Sequence, residues 1–492
     1  MIAKIPVYQI EQIREFERLA AERFGITGEV LMARAGKAAL DFMLRRWANI
    51  KRIAVCCGNG NNGGDGYVLA ELAFERGLSV MIYQVGDHSH LKNEAKAAFE
   101  RCKQAKVPIS IFQDKMEFNH PDLIVDAICG IGVTDALRDD VVLALDQIRR
   151  THAPVFALDV PTGIDADTGQ VMGAALKAAA TMTFIGLKLG LLTGSGSSYT
   201  GELVMNDLQL PGDLFAYVEP IAEKIQLNAF NHFLKPRLRD WHKGLSGHVL
   251  VIGGAAGFSG AARMAGMAAL RVGAGLVSIA TEVENAAIMN AEWPELMCHG
   301  IARPEELRPL LEKADVIVLG PGLSQSAWAK DIWQEAVKQE AWMVVDADGL
   351  NLLAAEPQVR DNWILTPHVG EAARLLGQTT TVIQFDRLEA VKEIARRYGG
   401  VTVLKGAGTL IAAPNSLPGV CDKGNPGMAS AGMGDILSGV IGGLLSQGLP
   451  PGDAARLGVI MHAAAGDLAA KDGERGMIAT DLLPYLRRLS NP

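Results

Sequence analysis

The chain is short of cysteine, of clustered positive charge and of long apolar runs, and each shortage removes a class of protein. Six cysteines (Cys56, Cys57, Cys102, Cys129, Cys298 and Cys421) stand among 492 residues, with no Cys-x-x-Cys spacing and no histidine pairing of the zinc-binding kind. Most fall in apolar, strand-like contexts, which predicts buried free thiols in a reducing compartment. Lys and Arg number 47 against 55 Asp and Glu, a net charge of −8 with no basic block. Affinity for a phosphate backbone needs clustered cations, so a general nucleic-acid binder is excluded. The least polar stretch, Val249 to Ala280, is broken by glycines and by Arg263 and Arg271. A membrane-spanning helix needs about 18 or more apolar residues in a row. The opening Met1-Ile2-Ala3-Lys4-Ile5-Pro6 lacks the apolar core of a secretion signal. A soluble, cytoplasmic protein is expected.

What the chain has in abundance is glycine, 54 residues of it. Helix and strand interiors disfavour glycine, so this number points to many tight loops. With 49% hydrophobic and 21% charged residues the composition suits sizeable cores, and the length suggests roughly two to four domains. The densest glycine stretch is Gly424-Asn425-Pro426-Gly427-Met428-Ala429-Ser430-Ala431-Gly432-Met433-Gly434-Asp435, running into the apolar Ile436-Leu437-Ser438-Gly439-Val440-Ile441. It reads as a glycine loop feeding a buried helix. The first amides of such a helix have no partner within it and favour phosphate. Asp435 at the same place is an ordinary first-turn acid, or, beside a bound polyphosphate, a carboxylate placed to take a proton.

In the first half, residues 28 to 47 carry apolar side chains at helical spacing. Arg52–Cys57 then reads as a buried parallel strand. It runs into Gly58-Asn59-Gly60-Asn61-Asn62-Gly63-Gly64-Asp65-Gly66, with a helix expected to open at Tyr67. Gly58-x-Gly60-x-x-Gly63, followed by Asp87 after the strand Ser79–Val85, satisfies the dinucleotide fingerprint. A dehydrogenase therefore stays in view, although Asn61, Asn62 and Asp65 add amide and carboxylate groups that a pyrophosphate turn does not need. Two later strands end in Asp126, before Cys129-Gly130-Ile131-Gly132-Val133-Thr134-Asp135, and in Asp159-Val160-Pro161-Thr162-Gly163-Ile164-Asp165. Taken singly, Asp126, Asp159 and Thr162 are turn formers. Together, at the ends of these two strands, they offer oxygen ligands for a hard cation or for a polar ligand.

The second half repeats the strand-then-helix rhythm. Strands are expected at Gly247–Gly253, Leu276–Ala280 and Val401–Leu404, and at the start of each of the stretches Val316–Leu323, Trp342–Asn351 and Trp363–Ala372. Their carboxyl ends carry Gly320-Pro321-Gly322, Asp346-Ala347-Asp348, Thr366-Pro367-His368-Val369-Gly370-Glu371 and Lys405-Gly406-Ala407-Gly408-Thr409, where open α/β sheets place their ligands. Lys405 supplies a cation and the glycines supply amides for nucleotide phosphates. The same glycines also make a hairpin turn toward Thr409–Ala412. His462 and Thr480 read as packing and as a helix cap.

These motifs resemble a known pair of families. Asn-Asn-Gly-Gly-Asp-Gly, Asp126 with Gly-Ile-Gly, and Asp-Val-Pro-Thr-Gly-Ile-Asp are similar to NAD(P)H-hydrate epimerases over about residues 1–210. The Gly-Met-Gly-Asp string in its longer context resembles the ADP/ATP-dependent NAD(P)H-hydrate dehydratases, which are ribokinase-like. The resemblance implies an α/β protein. A Rossmann-like three-layer αβα epimerase domain (1–212) and a linker (213–232) would precede a ribokinase-like α/β dehydratase domain (233–492). It implies K+ held by Asn62, Asp126 and Thr162. The hydrated cofactor would lie along Asn61, Asn62, Gly63, Gly64 and Asp65, and along Gly130, Ile131, Gly132, Val133, Thr134, Asp135 and Ala136, with Asp159 at the reacting ring. In the dehydratase it implies substrate at Ala261, Gly322, His368 and Asp435, with ADP and Mg2+ at Lys405, Gly406, Ala407, Gly408, Thr409 and Gly434. Asp159 and Asp435 would be catalytic. Leu31-Met32-Ala33-Arg34-Ala35-Gly36 lacks the acid or amide that relatives often carry two residues after the Met, a departure expected to touch loop support only.

The activity implied is repair of hydrated NADH and NADPH. The R and S hydrates would be interconverted at C6, and the S form dehydrated with ADP, releasing AMP and phosphate. Partners are expected to be these small molecules and further copies of the chain, with neither nucleic acid nor membrane. A ribokinase-like small-molecule kinase (for hydroxymethylpyrimidine or a sugar) fused to a Rossmann domain is the rival enzyme, and a nucleotide sensor without turnover is the rival class.

Overall fold

Apolar runs of four to six residues, each followed by glycines and a helical segment, give parallel strands buried on both faces. In the computed structural model, which describes residues 5–492 apart from His88, His90, Lys92 and Thr134, they form two separate compact units. One spans Pro6–Ala222, and the other Glu223–Pro492 together with Ile5. The division falls inside 213–232, the stretch expected to link the domains. That stretch carries regular elements: 3-10 turns at Gly212–Tyr217 and Leu227–Phe230, and the strand Ala222–Lys224. Ile225 and Phe230 anchor its end by burying themselves in the core of the second unit. No helix among the described residues is long and apolar enough to cross a membrane.

In the first unit seven parallel strands lie in the order Ile109–Ile111, Ser79–Gln84, Arg52–Cys57, Leu123–Ala127, Val155–Leu158, Ala180–Phe184 and Glu202–Asn206. Strand side chains alternate between faces. Ile53, Val55 and Cys57 pack with the helices Gly28–Arg46 and Asn61–Glu75, while Ala54 and Cys56 pack with Asp139–Arg150, giving three layers. Sequence order reverses between Arg52–Cys57 and Leu123–Ala127, so the chains leaving these neighbours diverge and open a crevice. The glycine stretch after Arg52–Cys57 was expected to be a loop; it is instead the first turns of the helix Asn61–Glu75. Its glycines are required by close approach. A Cβ on Gly63 would lie 2.0 Å from the Gly58 carbonyl oxygen, and one on Gly66 would lie 2.5 Å from the Ala127 Cβ.

The second unit repeats the reversal. Met297–Gly300, Leu276–Thr281, His248–Ile252, Val316–Leu319, Trp342–Val345, Trp363–Leu365 and Val401–Leu404 run parallel in that order. Thr409–Ala412 and Gly419–Cys421 then add antiparallel strands. The glycine loop leads, as expected, into the helix Met433–Leu445, entered through Gly432 at φ +88. Three glycines on that helix let it lie flush against its neighbours: a Cβ at Gly439 would stand 2.0 Å from the Ala265 carbonyl oxygen of the helix Ser259–Arg271, one at Gly442 2.5 Å from Val318, and one at Gly443 2.7 Å from Val272. Thr480 makes no cap. The 3-10 turn Ala479–Leu482, which precedes the final helix Leu483–Leu489, is closed by Asp481, whose carboxylate accepts from the Ile478 amide at 2.9 Å.

Overpacking a buried helix contact costs about 1–3 kcal/mol. Gly439→Ala is therefore expected to lower the stability of the second unit by about that amount, read as an earlier urea transition.

Candidate active sites

The crevice of the first unit is a cavity of about 570 Å³ at the carboxyl ends of the two diverging strands. Asn61, Asn62 and Asp65 line it from the helix Asn61–Glu75, and Gly130, Ile131, Gly132 and Val133 from the opposing strand end. Gly63, Gly64, Asp135 and Ala136 lie outside the lining; Thr134 is outside the described residues. Asp159 faces the cavity with its backbone at φ +63, a left-handed conformation that Asp adopts more readily than most residues. Its Oδ1 accepts from Lys188 Nζ at 2.5 Å, Thr183 Oγ1 at 3.2 Å and the Phe184 amide at 3.2 Å. A Cβ on Gly130 would lie 3.4 Å from Asp159 Oδ2 and 3.2 Å from the Asn62 Cβ, so glycine keeps this part of the cleft open.

The cavity is acidic beyond Asp159. Burial, followed by the Asp159 and Glu17 charges, pushes Asp65 well above the usual carboxylate range. Glu17, from the helix Ile10–Phe24, is raised by burial and then by Asp159. Nothing in the motifs had pointed to Glu17 or Lys188. The signal for Lys188 was a single lysine inside the apolar run Phe184–Leu192. Arg34, two residues after Met32, donates to the Leu208 and Gln209 carbonyls at 2.8 and 3.1 Å.

Asp126 and Thr162 meet behind the cavity. Thr162 Oγ1 donates to Asp126 Oδ1 at 2.6 Å and accepts from the Cys129 amide at 3.0 Å, and the Thr162 amide donates to Asp126 Oδ2 at 2.8 Å. Burial drives Asp126 up to about 6. Both polar atoms of the buried Asn62 amide are without a hydrogen-bond partner among the described residues, and Gly130, adjoining Cys129, brings Asn62 toward this corner. One carboxylate, one hydroxyl and one unpartnered amide make an all-oxygen donor set of low charge, which fits a monovalent cation.

In the second unit the predicted residues converge at the start of the helix Met433–Leu445. Lys405 Nζ donates to Asp346 Oδ1 at 2.6 Å and lies 3.9 Å from Glu371. A Cβ on Gly434 would stand 3.2 Å from that ammonium. Ser438 Oγ donates to Asp346 Oδ2 at 2.6 Å. Burial raises Asp346, but the Lys405 charge and these hydrogen bonds hold it below the usual carboxylate range. Asp435, with no hydrogen bond or ion pair to its carboxylate among the described residues, is pushed up to about 7 by burial and then by Asp346, against the pull of Lys405. Glu371 is also raised to about 7 by burial. His368 caps the helix Val369–Leu376: its Nδ1 accepts from the Gly370 and Glu371 amides at 2.9 and 3.3 Å, while Glu371 accepts from the His368 amide at 2.7 Å. With Nδ1 accepting, the neutral ring carries its proton on Nε2. Burial and the Lys405 charge depress the His368 pKa, favouring that neutral form.

Gly322 and Ala261 form a second predicted cluster, 3.1 Å apart when a Cβ is placed on Gly322. Gly406 (φ +138) and Gly408 (φ +64) need glycine conformations, and Thr409 Oγ1 donates to the Gly406 carbonyl at 2.9 Å. Arg387, unforeseen, is buried beneath this loop and donates to the Leu404 and Lys405 carbonyls, both at 3.3 Å. Asp346 and Glu371 had been noticed at strand ends without a role. His462 is buried as expected, and its surroundings push its pKa down to about 4.

A helix N-terminus with a glycine entry, a lysine, and an acid of pKa about 7 define the second unit as an enzyme of the ribokinase-like class. The comparisons agree. The family described as NAD(P)H-hydrate dehydratase matches residues 249–488, and that described as YjeF-related protein N-terminus matches residues 28–190. The bifunctional NAD(P)H-hydrate repair enzyme Nnr of Coxiella burnetii is 48% identical over 490 residues, 99% of each chain. The enzyme of that name from Escherichia coli K12 is 45% identical over 99% of this chain and 94% of its own. A ribokinase-like superfamily protein of Enterococcus faecalis V583 superposes with a TM-score of 0.51 at 29% identity, over 55% of this chain and 96% of its own. The chain belongs to the bifunctional NAD(P)H-hydrate repair enzymes.

Gly130→Ala would place a methyl between Asn62 and Asp159. It is expected to lower turnover in the first unit, by narrowing the gap in front of Asp159 Oδ2, and to leave that of the second unchanged, measured by assaying each activity separately.

Proposed function

We propose that the first unit interconverts the R and S hydrates of NADH and NADPH at C6, and that the second dehydrates the S form at the expense of ADP. The observation that carries the second assignment is Asp435, a carboxyl group of pKa about 7 at an anion-favouring helix start beside the Lys405–Asp346 pair. ADP, as its Mg2+ complex, would set its phosphates against Lys405, Gly406–Thr409 and the amide of Gly434. Asp435 takes the proton of the C6 hydroxyl. That oxygen attacks the terminal phosphorus of ADP, and AMP leaves. The C6–O bond then breaks with phosphate as leaving group, and loss of the C5 proton restores the ring double bond. His368, with its proton on Nε2, is a hydrogen-bond donor toward substrate, and Ala261 and Gly322 shape the pocket for the ring.

In the first unit, Asp159 takes and returns a proton while the C6–O bond breaks and hydroxide re-adds on the other face of C6, with the hydrated cofactor lying along Asn61, Asn62 and Asp65 and along Gly130–Val133. Asn62, Asp126 and Thr162 would hold K+, whose positive charge would offset the buried Asp126 and help orient an anionic substrate.

The test mixes the protein with both epimers of hydrated NADPH, ADP, Mg2+ and K+, and follows the return of reduced-nicotinamide fluorescence. Conversion of both epimers with release of AMP and phosphate is expected; a stable phosphoester product would instead indicate a kinase. Because Asp435 must be ionised to act, kcat/KM for dehydration should rise with pH and level off above about 7. Asp435→Asn should abolish that activity by about 10²-fold or more while nucleotide binding, measured by calorimetry, persists.

A further inference from the structure

Lys188 is fully buried, and a buried ammonium is tolerated only when its charge and protons are partnered. Its partners are Asp159 Oδ1 at 2.5 Å, Thr183 Oγ1 at 2.9 Å and the Phe184 carbonyl at 2.8 Å. Lysine has three donors, so this set uses all of them. It lines the same cavity as Asp159, yet no N–H remains for a ligand.

The consequence falls on Asp159. Its Oδ1 collects three donors: the Lys188 ammonium, the Thr183 hydroxyl and the Phe184 amide. Its Oδ2 has no hydrogen bond among the described residues and faces the gap kept open by Gly130. The two oxygens of one carboxylate are thus made unlike. We propose that Lys188 is a positioning residue for epimerisation, which fixes the Asp159 carboxylate through Oδ1 so that Oδ2 alone takes and returns the substrate proton. This rests on the epimerase reading of the first unit.

Geometry gives the reason such a device is useful. A free carboxylate rotates about its last torsion and presents either oxygen, whereas a proton transfer needs one acceptor atom at hydrogen-bond reach in a fixed direction. Asp159 also has the acids Glu17 and Asp65 for neighbours, with Arg14 on the same wall. Among several carboxyl groups, a lysine committed to one of them decides which acts and through which atom. Lys188 exchanges no proton with substrate.

The test is Lys188→Met in the full-length protein, with epimerisation and dehydration assayed separately and thermal unfolding recorded. A positioning role predicts that kcat for epimerisation falls by about 10²-fold while KM stays within about threefold. Dehydration of the pure S epimer should be unaffected. A kcat within about threefold of wild type overturns the proposal. Should Lys188→Met fail to fold, Thr183→Val decides. It leaves the Lys188–Asp159 ion pair in place but frees one bond of each, and should lower kcat by about tenfold at unchanged KM. An unchanged kcat in that variant, or a loss confined to KM, overturns the proposal. If the wild-type protein does not epimerise the hydrates at all, the function assigned to the first unit fails, and the variants are not what decided it.

Discussion

A lysine held to a buried strand-end aspartate organises each unit, the lysine itself being buried in the first unit and part-buried in the second. In the first, Lys188 meets Asp159 at 2.5 Å; in the second, Lys405 meets Asp346 at 2.6 Å. Neither ion could be buried alone. Each pair therefore fixes where the neighbouring polar groups can lie. The two pairs are used differently. Asp159 has one oxygen bound and one free, so it remains available for chemistry. Asp346 has both oxygens bound, one by Lys405 and one by Ser438, so it cannot act as a base and serves instead to hold the ammonium beside Gly434. The proton acceptor of the second site must then be a different acid. Asp435 and Glu371 are both raised where Asp346 is lowered. Glu371 is engaged by the His368 amide in the helix cap, which leaves Asp435 as the acid available at neutral pH.

Glycine is the second constraint. Its abundance suggested loops, but several of these residues lie inside helices, where they permit contact at less than side-chain distance. Gly63 and Gly66 seat a helix against strand ends in the first unit, and Gly439, Gly442 and Gly443 seat the helix that carries Asp435 in the second. The position of a reacting carboxylate thus depends on residues that have no side chain of their own. This explains how a helix with apolar surroundings on every side can still deliver its amino-terminal amides to an open site.

Much of this was legible in the sequence. Apolar runs followed by glycines located the central parallel strands, because a strand buried on both faces has little freedom in composition. Ile109–Ile111, Ala180–Phe184, Glu202–Asn206 and Met297–Gly300, which lack such a run, were not read. Lys405, Gly434 and Asp435 were placed together by the resemblance to the dehydratases, and their motifs lie at strand or helix ends, where an α/β fold gathers its ligands. Other features were hidden for physical reasons. The helix starting at Asn61 was masked because Asn-Asn-Gly-Gly has poor intrinsic helix propensity, and only packing against Gly58 and Ala127 makes it helical. Lys188 and Glu17 were invisible because their importance is relational: each sits in an apolar or amphipathic segment and acquires meaning only when distant strands bring Asp159 beside it. Arg387 belongs to the same class, a buried cation whose role under the Lys405–Thr409 turn depends on contacts 17 and 18 residues away.

His368 carries the argument about proton traffic one step further. A histidine near a reacting centre is the usual candidate for a general base. Here its Nδ1 is occupied by two helix amides, so the neutral ring has its proton on Nε2 and no free lone pair. To accept a proton the ring would have to give up the cap of the helix Val369–Leu376, and a lost cap costs about 1 kcal/mol. Desolvation of the half-exposed ring and the Lys405 charge also oppose the cation, and outweigh the pull of the Glu371 carboxylate 3.5 Å from Nε2. Both effects bias His368 toward donating a hydrogen bond. Removal of the substrate proton is thereby left to Asp435, and the capping geometry of one helix helps to assign the acid–base roles at the amino terminus of another.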